Sequence, residues 1–252
     1  MSKKSRKSRT NAKHQNVVHK SFKHDGASHD DWHPLDSEID GRRDKKYVKN
    51  IKPRSEGQAK LIEAIKEHSV AMAIGPAGTG KTYLAIASAV EALERGDVER
   101  IVLSRPAMEA GENLGFLPGD IHEKMAPYLR PLYDSLGDRL GGKKVRQMLE
   151  DGTIEIAPIG FMRGRTLNNA YVVIDEAQNC TYSQLKMLLS RLGWHSKMVI
   201  TGDPDQSDLL EGISGLADIS KRVESIPNIA VVKLEQNDIV RHPLVAKMLD
   251  VL

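Results

Sequence analysis

The sequence predicts an α/β domain built on a mostly parallel β-sheet, and three observations point to this class. Short apolar runs without polar alternation, typical of strands buried on both faces, alternate along the chain with longer helical segments. Between the first of these runs and the first long helical segment lies a Gly-rich octapeptide with the spacing G-x-x-x-x-G-K-T. Hydrophobic residues make up 40% of the 252 residues, enough for a substantial core.

These patterns predict six strands and seven helices, all after the first fifty residues. Thr181 followed by Gln184 has the spacing of a capping box and predicts the start of the fifth helix. Pro243 suits the first turn of the last helix. The predicted strands are Val70–Ile74, Arg100–Leu103, Thr153–Ala157, Tyr171–Ile174, Lys197–Thr201 and Ile229–Leu234. The predicted helices are Gln58–Lys66, Lys81–Glu94, Ile121–Leu136, Lys143–Glu150, Ser183–Leu192, Gly215–Glu224 and Pro243–Leu252.

Residues 1–49 are predicted to form a disordered basic tail that precedes a single domain at 50–252. Residues 1–24 contain eight Lys or Arg and no acidic residue, a composition that cannot bury enough apolar surface to become ordered. Such an arm either binds nucleic acid through its phosphates or acts as a solubilising extension, and both interpretations stay open. We expect a cytoplasmic protein without a membrane segment, because the chain has one cysteine and no apolar run long enough to span a bilayer.

The octapeptide is predicted to bind the phosphates of a nucleotide. Its glycines let backbone N–H groups approach phosphate oxygens, and the following helix directs its positive end toward the same place. Lys81 is expected to reach the β- and γ-phosphates, and the Thr82 hydroxyl to hold Mg²⁺. The alternative is a Gly-rich turn without a ligand, which the strand, loop and helix in register disfavour. The expected phosphate-binding residues are Gly75, Pro76, Ala77, Gly78, Thr79, Gly80, Lys81 and Thr82.

A second apolar run, Tyr171–Ile174, ends in two acidic residues and has the Walker B pattern. Asp175 at the end of this strand is expected to belong to the Mg²⁺ site, and Glu176 to polarise the attacking water. The alternative is a pair of solvated carboxylates in a turn. Because this acidic pair follows a phosphate loop in the same chain, the two patterns together predict a nucleoside triphosphatase.

A third apolar run is followed by polar residues and supplies a candidate γ-phosphate sensor. The segment Val199–Gln206 ends in Gln206, which could either contact the γ-phosphate or be an ordinary loop residue. The chain contains no Asn-Lys-x-Asp segment of the kind that reads guanine, which argues against a GTPase.

Several further segments, taken with the phosphate loop, resemble the PhoH family in order and without large gaps over roughly residues 50–252. The resemblance implies a three-layer RecA-like P-loop NTPase related to the superfamily 1 helicases. The segments that carry it are Gly75–Ala85, Arg105–Pro106, Glu109–Asp120, Met162–Asn169, Asp175–Asn179, Thr201–Asp203 and Arg241–Val245.

The resemblance also implies roles for two residues and a state of assembly. Gln58 resembles the glutamine that reads adenine in helicases, with an exposed glutamine at a helix start as the alternative. Related helicases hold ATP between two lobes, whereas this chain has residues for one lobe. The resemblance therefore implies a ring, a hexamer by analogy, in which Arg241 acts on the γ-phosphate across a subunit boundary. A surface role for Arg241 is the alternative.

The leading functional hypothesis is an ATP-driven translocase or helicase acting on RNA or single-stranded DNA. Arg163 and Arg165, separated by one glycine, are candidate contacts to the nucleic-acid backbone, with intersubunit salt bridges as the alternative. A second hypothesis is an ATP-dependent regulator or adaptor for a nuclease or a ribosome-linked partner, without helicase activity of its own. A small-molecule kinase is a weaker third hypothesis, because an Asp-Glu pair suits water activation better than transfer to a hydroxyl.

Overall fold

The computed structural model describes residues 51–106, 121–210 and 212–240, and the side chains from residue 129 onward in the helix that begins at Ile121. The predicted basic tail, the segment Glu109–Asp120 that carries part of the family resemblance, Arg241 and the predicted last helix Pro243–Leu252 lie outside these residues. Predictions about those segments therefore stay predictions. None of the described helices has the length and apolar character needed to cross a bilayer.

Six strands and six helices are present in the described residues, and each corresponds to a predicted element. The capping box predicted at the start of α5 is confirmed. The Thr181 hydroxyl accepts from the Gln184 backbone amide, and the Gln184 side chain accepts from the Thr181 backbone amide. The strands are β1 Val70–Ile74, β2 Arg100–Ser104, β3 Ile154–Ile156, β4 Ala170–Ile174, β5 Lys197–Gly202 and β6 Ile229–Lys233. The helices are α1 Glu56–Glu67, α2 Lys81–Arg95, α3 Ile121–Leu140, α4 Gly142–Glu150, α5 Tyr182–Leu189 and α6 Leu216–Val223.

All six strands form one parallel sheet in the order β3-β2-β4-β5-β1-β6. Because every pair is parallel, the carboxyl ends of the strands meet at one edge, where loops from β1, β2, β4 and β5 lie side by side. The predicted parallel α/β class is confirmed. The strand that precedes the octapeptide, β1, is separated from the strand that ends at Asp175, β4, by β5 alone.

Helices cover both faces of the sheet, which gives the three layers expected from the sequence. Successive residues of each central strand point to opposite faces, so Ala71 and Ala73 pack in one cluster while Val70 and Met72 pack in the other. The first cluster contains α1 to α4, and the second contains α5 and α6. Burial on both faces explains why these strands are apolar throughout.

The end of α5 differs from the prediction, which extended this helix to Leu192. The helix ends at Leu189 because the chain turns to pair with the segment before β4. Leu192 forms an isolated parallel bridge with Leu167, and the Gly193 amide donates to the Leu167 carbonyl at 3.1 Å. The two paired leucines lie 25 residues apart in sequence, so no local sequence pattern indicates the pairing. A prediction from helical periodicity alone therefore made α5 too long.

Cys180 lies between β4 and α5 and is fully buried. Burial raises the pKa of its thiol to about 12. A thiol in this setting stays protonated near neutral pH, so Cys180 packs as a small apolar side chain.

Asp238 fastens the start of α1 to the segment that follows β6. Its carboxylate is 8% exposed and accepts hydrogen bonds from the amides of Gly57 at 3.0 Å and Glu235 at 2.9 Å. The Glu235 amide, followed by the Ser55 hydroxyl, lowers the pKa of the Asp238 carboxyl. The charged form is therefore the one that the folded chain stabilises.

The Asp238→Asn variant should be less stable than the parent by about 1 kcal/mol at pH 7, since it loses charge-assisted hydrogen bonds. A lowered folded-state pKa contributes stability above the unfolded pKa of about 3.9, and that contribution disappears as the pH falls through the folded pKa. Urea unfolding at pH 7, 5 and 3.5 should show the difference shrinking at the lowest pH. An equal difference at all three pH values would contradict this role of the charge.

Candidate nucleotide-binding site

A cavity of about 370 Å³ opens at the carboxyl edge of the sheet. It is lined by five residues of the octapeptide, by residues at or just after the ends of β2, β4 and β5, and by two residues of α3, whereas Gly75, Pro76 and Thr79 lie outside the lining. The predicted site residues Lys81, Thr82, Asp175, Glu176 and Gln206 all line this cavity. The structure thus brings together side chains that lie up to 125 positions apart in the chain.

The octapeptide forms the expected loop between β1 and α2, and Thr79 and Pro76 close it internally. The Thr79 hydroxyl donates to the Pro76 carbonyl at 2.9 Å. Gly75 has φ 147°, and a side chain there would collide with the Leu234 carbonyl of the neighbouring strand connection. Ala77, Gly78 and Gly80 line the cavity, so backbone rather than side chains faces the space where phosphates would lie.

Lys81 is folded back onto the loop. Its ammonium donates to the carbonyls of Gly75 at 2.6 Å and Pro76 at 2.8 Å. Burial lowers the pKa of Lys81, while the carboxylates of Asp203, Glu176 and Asp175 act in the opposite direction. Phosphate oxygens would add negative charge in the cavity that faces Lys81, so a bound nucleotide would favour the charged ammonium.

Asp175 is the most connected acidic group of the site and is 3% exposed. Its Oδ1 accepts from the hydroxyls of Thr82 and Thr201, both at 2.6 Å. A carboxylate oxygen beside a threonine hydroxyl suits Mg²⁺, which usually takes one or two carboxylates and keeps substrate phosphates and waters as its other ligands. In agreement with such a sparse donor set, the described residues contain no group of three or more His, Cys, Asp or Glu placed to hold a metal.

Glu176 has both carboxylate oxygens engaged. Oε1 accepts from the Arg105 guanidinium at 3.1 Å, and Oε2 accepts from the Gln178 amide at 2.5 Å. The backbone of Glu176 is left-handed, with φ 53° and ψ 42°, a conformation that costs a residue with a side chain about 1–3 kcal/mol. Such strain at the mouth of a cavity, in a residue held from both sides, supports a functional role for this carboxylate.

Gln206 lies in a short 3-10 turn, Pro204–Gln206, directly after β5. Asp203 begins the turn, with its carboxylate accepting from the Asp205 amide at 3.2 Å, and is 6% exposed. The turn places Gln206 at the cavity on the side of β5. Its position agrees with the proposed sensor, and the contact to a γ-phosphate stays a prediction.

Gln58 is buried, in contrast to the exposed helix-start residue that the sequence left as an alternative. Its Nε2 donates to the Thr79 carbonyl at 2.9 Å, and its Oε1 accepts from the Arg54 amide at 2.9 Å. Gln58, which belongs to α1, therefore holds the phosphate loop in place by its hydrogen bond to the Thr79 carbonyl. That it also reads adenine stays a prediction.

Arg163 and Arg165 lie away from the cavity, after β3. The Arg165 guanidinium forms two hydrogen bonds with the Glu155 carboxylate, at 2.6 and 2.7 Å, which raise the pKa of Arg165. Arg163 is exposed. The structure thus separates the two arginines: one is held within the chain, and the other is presented to solvent.

Sequence reasoning assigned no role to four residues of the site: Arg105, Gln178, Thr201 and Asp203. Gln178 links Glu176 to the Asp203 amide, which donates to its Oε1 at 3.1 Å. Arg105 and Asp203 each lie one to three residues after an apolar run, and a position just after such a run is the signal that identified Asp175. That signal could have found them, whereas the Thr201 contact depends on the register of β4 against β5.

The fold and this loop define the chain as a P-loop NTPase of the RecA-like class. The profile of the family described as PhoH-like protein matches residues 50–252. The chain belongs to the PhoH family.

Relatives in this family share about half of their aligned residues with the chain. The PhoH-like protein of Bacillus subtilis (strain 168) is 54% identical over 203 residues, which are 80% of this chain and 64% of that protein. The PhoH-like protein of Mycobacterium leprae (strain TN) is 50% identical over 203 residues, 80% of this chain and 58% of that protein. The chain thus spans less than two thirds of the length of these relatives. Among solved structures, the large terminase from a thermophilic bacteriophage matches with a TM-score of 0.48 and 11% identity, covering 79% of this chain and 50% of that chain.

The Gln58→Leu variant should bind adenine and guanine nucleotides about three- to tenfold more weakly, because the phosphate loop loses the hydrogen bond from Gln58 to Thr79. Titration calorimetry with ADP and GDP measures both affinities, and Gln147→Leu, an exposed position on α4, is the matched control. Unchanged affinity for both nucleotides would contradict the supporting role. A loss confined to ADP would identify Gln58 as the adenine reader instead.

Proposed function

We propose that the chain is a Mg²⁺-dependent ATPase whose single RecA-like lobe works in a homo-oligomeric ring, a hexamer. We further propose that the ring couples ATP hydrolysis to binding, translocation along or unwinding of RNA or single-stranded DNA. The observation that carries the ATPase proposal is the arrangement of Lys81, Thr82, Asp175 and Glu176 around one cavity beside a phosphate loop. Each of these groups has a distinct task in phosphoryl transfer to water.

Lys81 leaves the carbonyls of Gly75 and Pro76 to bind the β- and γ-phosphates of ATP. Thr82 and Asp175 together would hold Mg²⁺. The bound ion would supply positive charge that neutralises the negative charge developing on the phosphate oxygens. Gln206, in the turn that follows β5, contacts the γ-phosphate and transmits its presence to that strand.

Glu176 orients the attacking water and accepts its proton. In the structure both of its oxygens have donors, from Arg105 and Gln178. Each carboxylate oxygen has two lone pairs, so each oxygen of Glu176 can still accept one hydrogen bond from water, and the release of Arg105 or Gln178 would open a further position for it. In the site without nucleotide, these two donors thus occupy part of the acceptor capacity of this base.

The ring proposal rests on the family resemblance and on the segment that precedes Arg241. Val240, the last described residue, donates its amide to the Gly78 carbonyl of the phosphate loop at 2.9 Å. The chain just before Arg241 is thereby tied to the loop that would hold the nucleotide. A change in that loop can thus be passed to the segment carrying the arginine that we propose to act on the neighbouring subunit's nucleotide.

The nucleic-acid proposal is supported by the turn Ile159–Met162 that follows β3, at the same edge of the sheet as the cavity. Ile159 and Met162 are buried, while Phe161 between them is 57% exposed and Arg163 next to it is exposed. An exposed aromatic ring beside an arginine suits base stacking and phosphate contact with a single strand. The Arg165–Glu155 pair fixes the base of this turn, so we assign nucleic-acid contact to Arg163 and a bracing role to Arg165.

Steady-state ATP hydrolysis with and without single-stranded RNA and DNA tests the proposed function. The parent chain should hydrolyse ATP only with Mg²⁺, and at least one polymer should raise the rate. Lys81→Ala should lower the rate at least about a hundredfold, since it removes the cation that faces the transferred phosphoryl group. Turnover that is insensitive to both polymers would favour the regulator or adaptor instead, and Mg²⁺-independent turnover or none would contradict the ATPase itself.

Arg163→Ala and Phe161→Ala should each weaken binding of a fluorescent single strand of about 15 nucleotides, and Arg163→Ala should also lower the slope of log affinity against log salt by roughly 1. Fluorescence anisotropy at several salt concentrations measures both quantities. Arg222→Ala and Trp194→Ala are the matched controls, since Arg222 is 66% exposed at its side chain and Trp194 is 81% exposed, away from this turn. Equal losses in variants and controls would contradict the assignment.

A further inference from the structure

Arg105 is the second cation of the cavity, and the register of the sheet fixes its place there. It directly follows β2, whose last residue, Ser104, pairs with Ile174 of β4. The Asp175 amide donates to the Ser104 carbonyl at 2.9 Å, which continues this pairing one residue past the end of β4. Arg105 is therefore held beside Asp175 and Glu176 by backbone contacts that do not depend on its own side chain.

The Arg105 guanidinium bridges the two acidic residues. Its Nη2 lies 3.1 Å from Glu176 Oε1, and its Nη1 lies 3.9 Å from Asp175 Oδ2. The side chain is 21% exposed and also lines the cavity. Arg105 thus balances the charge of the same two carboxylates that the proposed reaction requires for Mg²⁺ and for water.

Binding of Mg²⁺ and a triphosphate would change this balance. The described charged groups that line the cavity are two cations, Lys81 and Arg105, and three carboxylates, Asp175, Glu176 and Asp203. The Arg105 guanidinium lies 3.9 Å from Asp175 Oδ2 and would be repelled by the charge of a divalent cation held at that carboxylate. The phosphate oxygens offer that guanidinium a planar, bidentate alternative partner.

The terminal phosphate is the one within reach of this side of the cavity. The backbone amides of the phosphate loop serve the phosphates nearer the nucleoside, and Lys81 reaches the β- and γ-phosphates from the side of the loop. Glu176, which would orient the attacking water, must lie beyond the γ-phosphate. A guanidinium paired with Glu176 is therefore next to the γ-phosphate position and has no counterpart to contact in a diphosphate.

We propose that Arg105 exchanges partners when a nucleoside triphosphate binds, leaving Asp175 and Glu176 for an oxygen of the γ-phosphate of its own subunit. Arg105 then distinguishes ATP from ADP, and the same movement frees Glu176 Oε1 for water. This inference rests on the proposed function. It differs from the role of Arg241, which acts across a subunit boundary, because the Arg105 contact needs no second subunit.

Binding of Mg²⁺·ADP and of Mg²⁺ with a non-hydrolysable ATP analogue, measured by calorimetry on the full chain, tests the exchange. Arg105→Ala should weaken the affinity for the analogue about tenfold to a hundredfold, the range for a charge-assisted hydrogen bond, and change the affinity for ADP by no more than about threefold. Arg105→Lys should restore part of the loss, since it keeps the charge without the fork. Arg222→Ala, an exposed arginine outside the cavity, is the control.

The two possible failures are distinguishable. If the parent chain binds neither nucleotide, the proposed function fails. If it binds both and Arg105→Ala weakens both equally or neither, Arg105 does not recognise the γ-phosphate, while the proposed function stands. The selective loss should also persist when the chain is diluted to a monomer, whereas a loss seen only in the assembled state would assign the contact to a neighbouring subunit and overturn the inference.

Discussion

A single carboxylate oxygen, Asp175 Oδ1, accepts hydrogen bonds from two threonines that belong to different parts of the sheet and its cover. Thr82 lies in the first turn of α2, after the phosphate loop, and Thr201 lies in β5. These two hydrogen bonds hold the start of α2, the end of β4 and β5 together at the Asp175 carboxylate. The side chains of Lys81, Glu176 and Gln206 extend from the same three elements or the turns next to them, so their positions depend on these two bonds.

Several carboxylates lie at the same edge of the sheet, and nearby cations and hydrogen-bond donors of the chain offset their charge. Lys81 lies against backbone carbonyls, and Arg105 bridges Asp175 and Glu176. A buried carboxylate without such partners would be driven toward protonation. The site without nucleotide is therefore stabilised by internal contacts that a phosphate and Mg²⁺ would replace, which connects the stability of the empty cavity to the chemistry proposed for it.

The strands, the phosphate loop and the acidic pair could be predicted because each has a local pattern, such as five consecutive buried residues in β1 or the spacing of the octapeptide. The contacts of Arg105 could not, since its partner Glu176 lies 71 residues away and is selected by the register of β2 against β4. Burial of Gln58 likewise depends on a carbonyl 21 residues later. Local sequence patterns therefore predicted the groups expected to bind the phosphates. The contacts that hold those groups in place depend on the register of the strands and could not be predicted from local sequence.

If Asp175 organises a Mg²⁺-dependent nucleotide site, the affinity for a non-hydrolysable ATP analogue, measured with Mg²⁺ and with EDTA, must depend on its charge. Asp175→Asn keeps an oxygen that can accept from Thr82 and Thr201 but loses the charge. We expect Mg²⁺ to strengthen binding to the parent chain about tenfold or more, and we expect the variant to lose this gain while still binding without metal. An equal gain from Mg²⁺ in both chains would show that Asp175 does not organise the metal site.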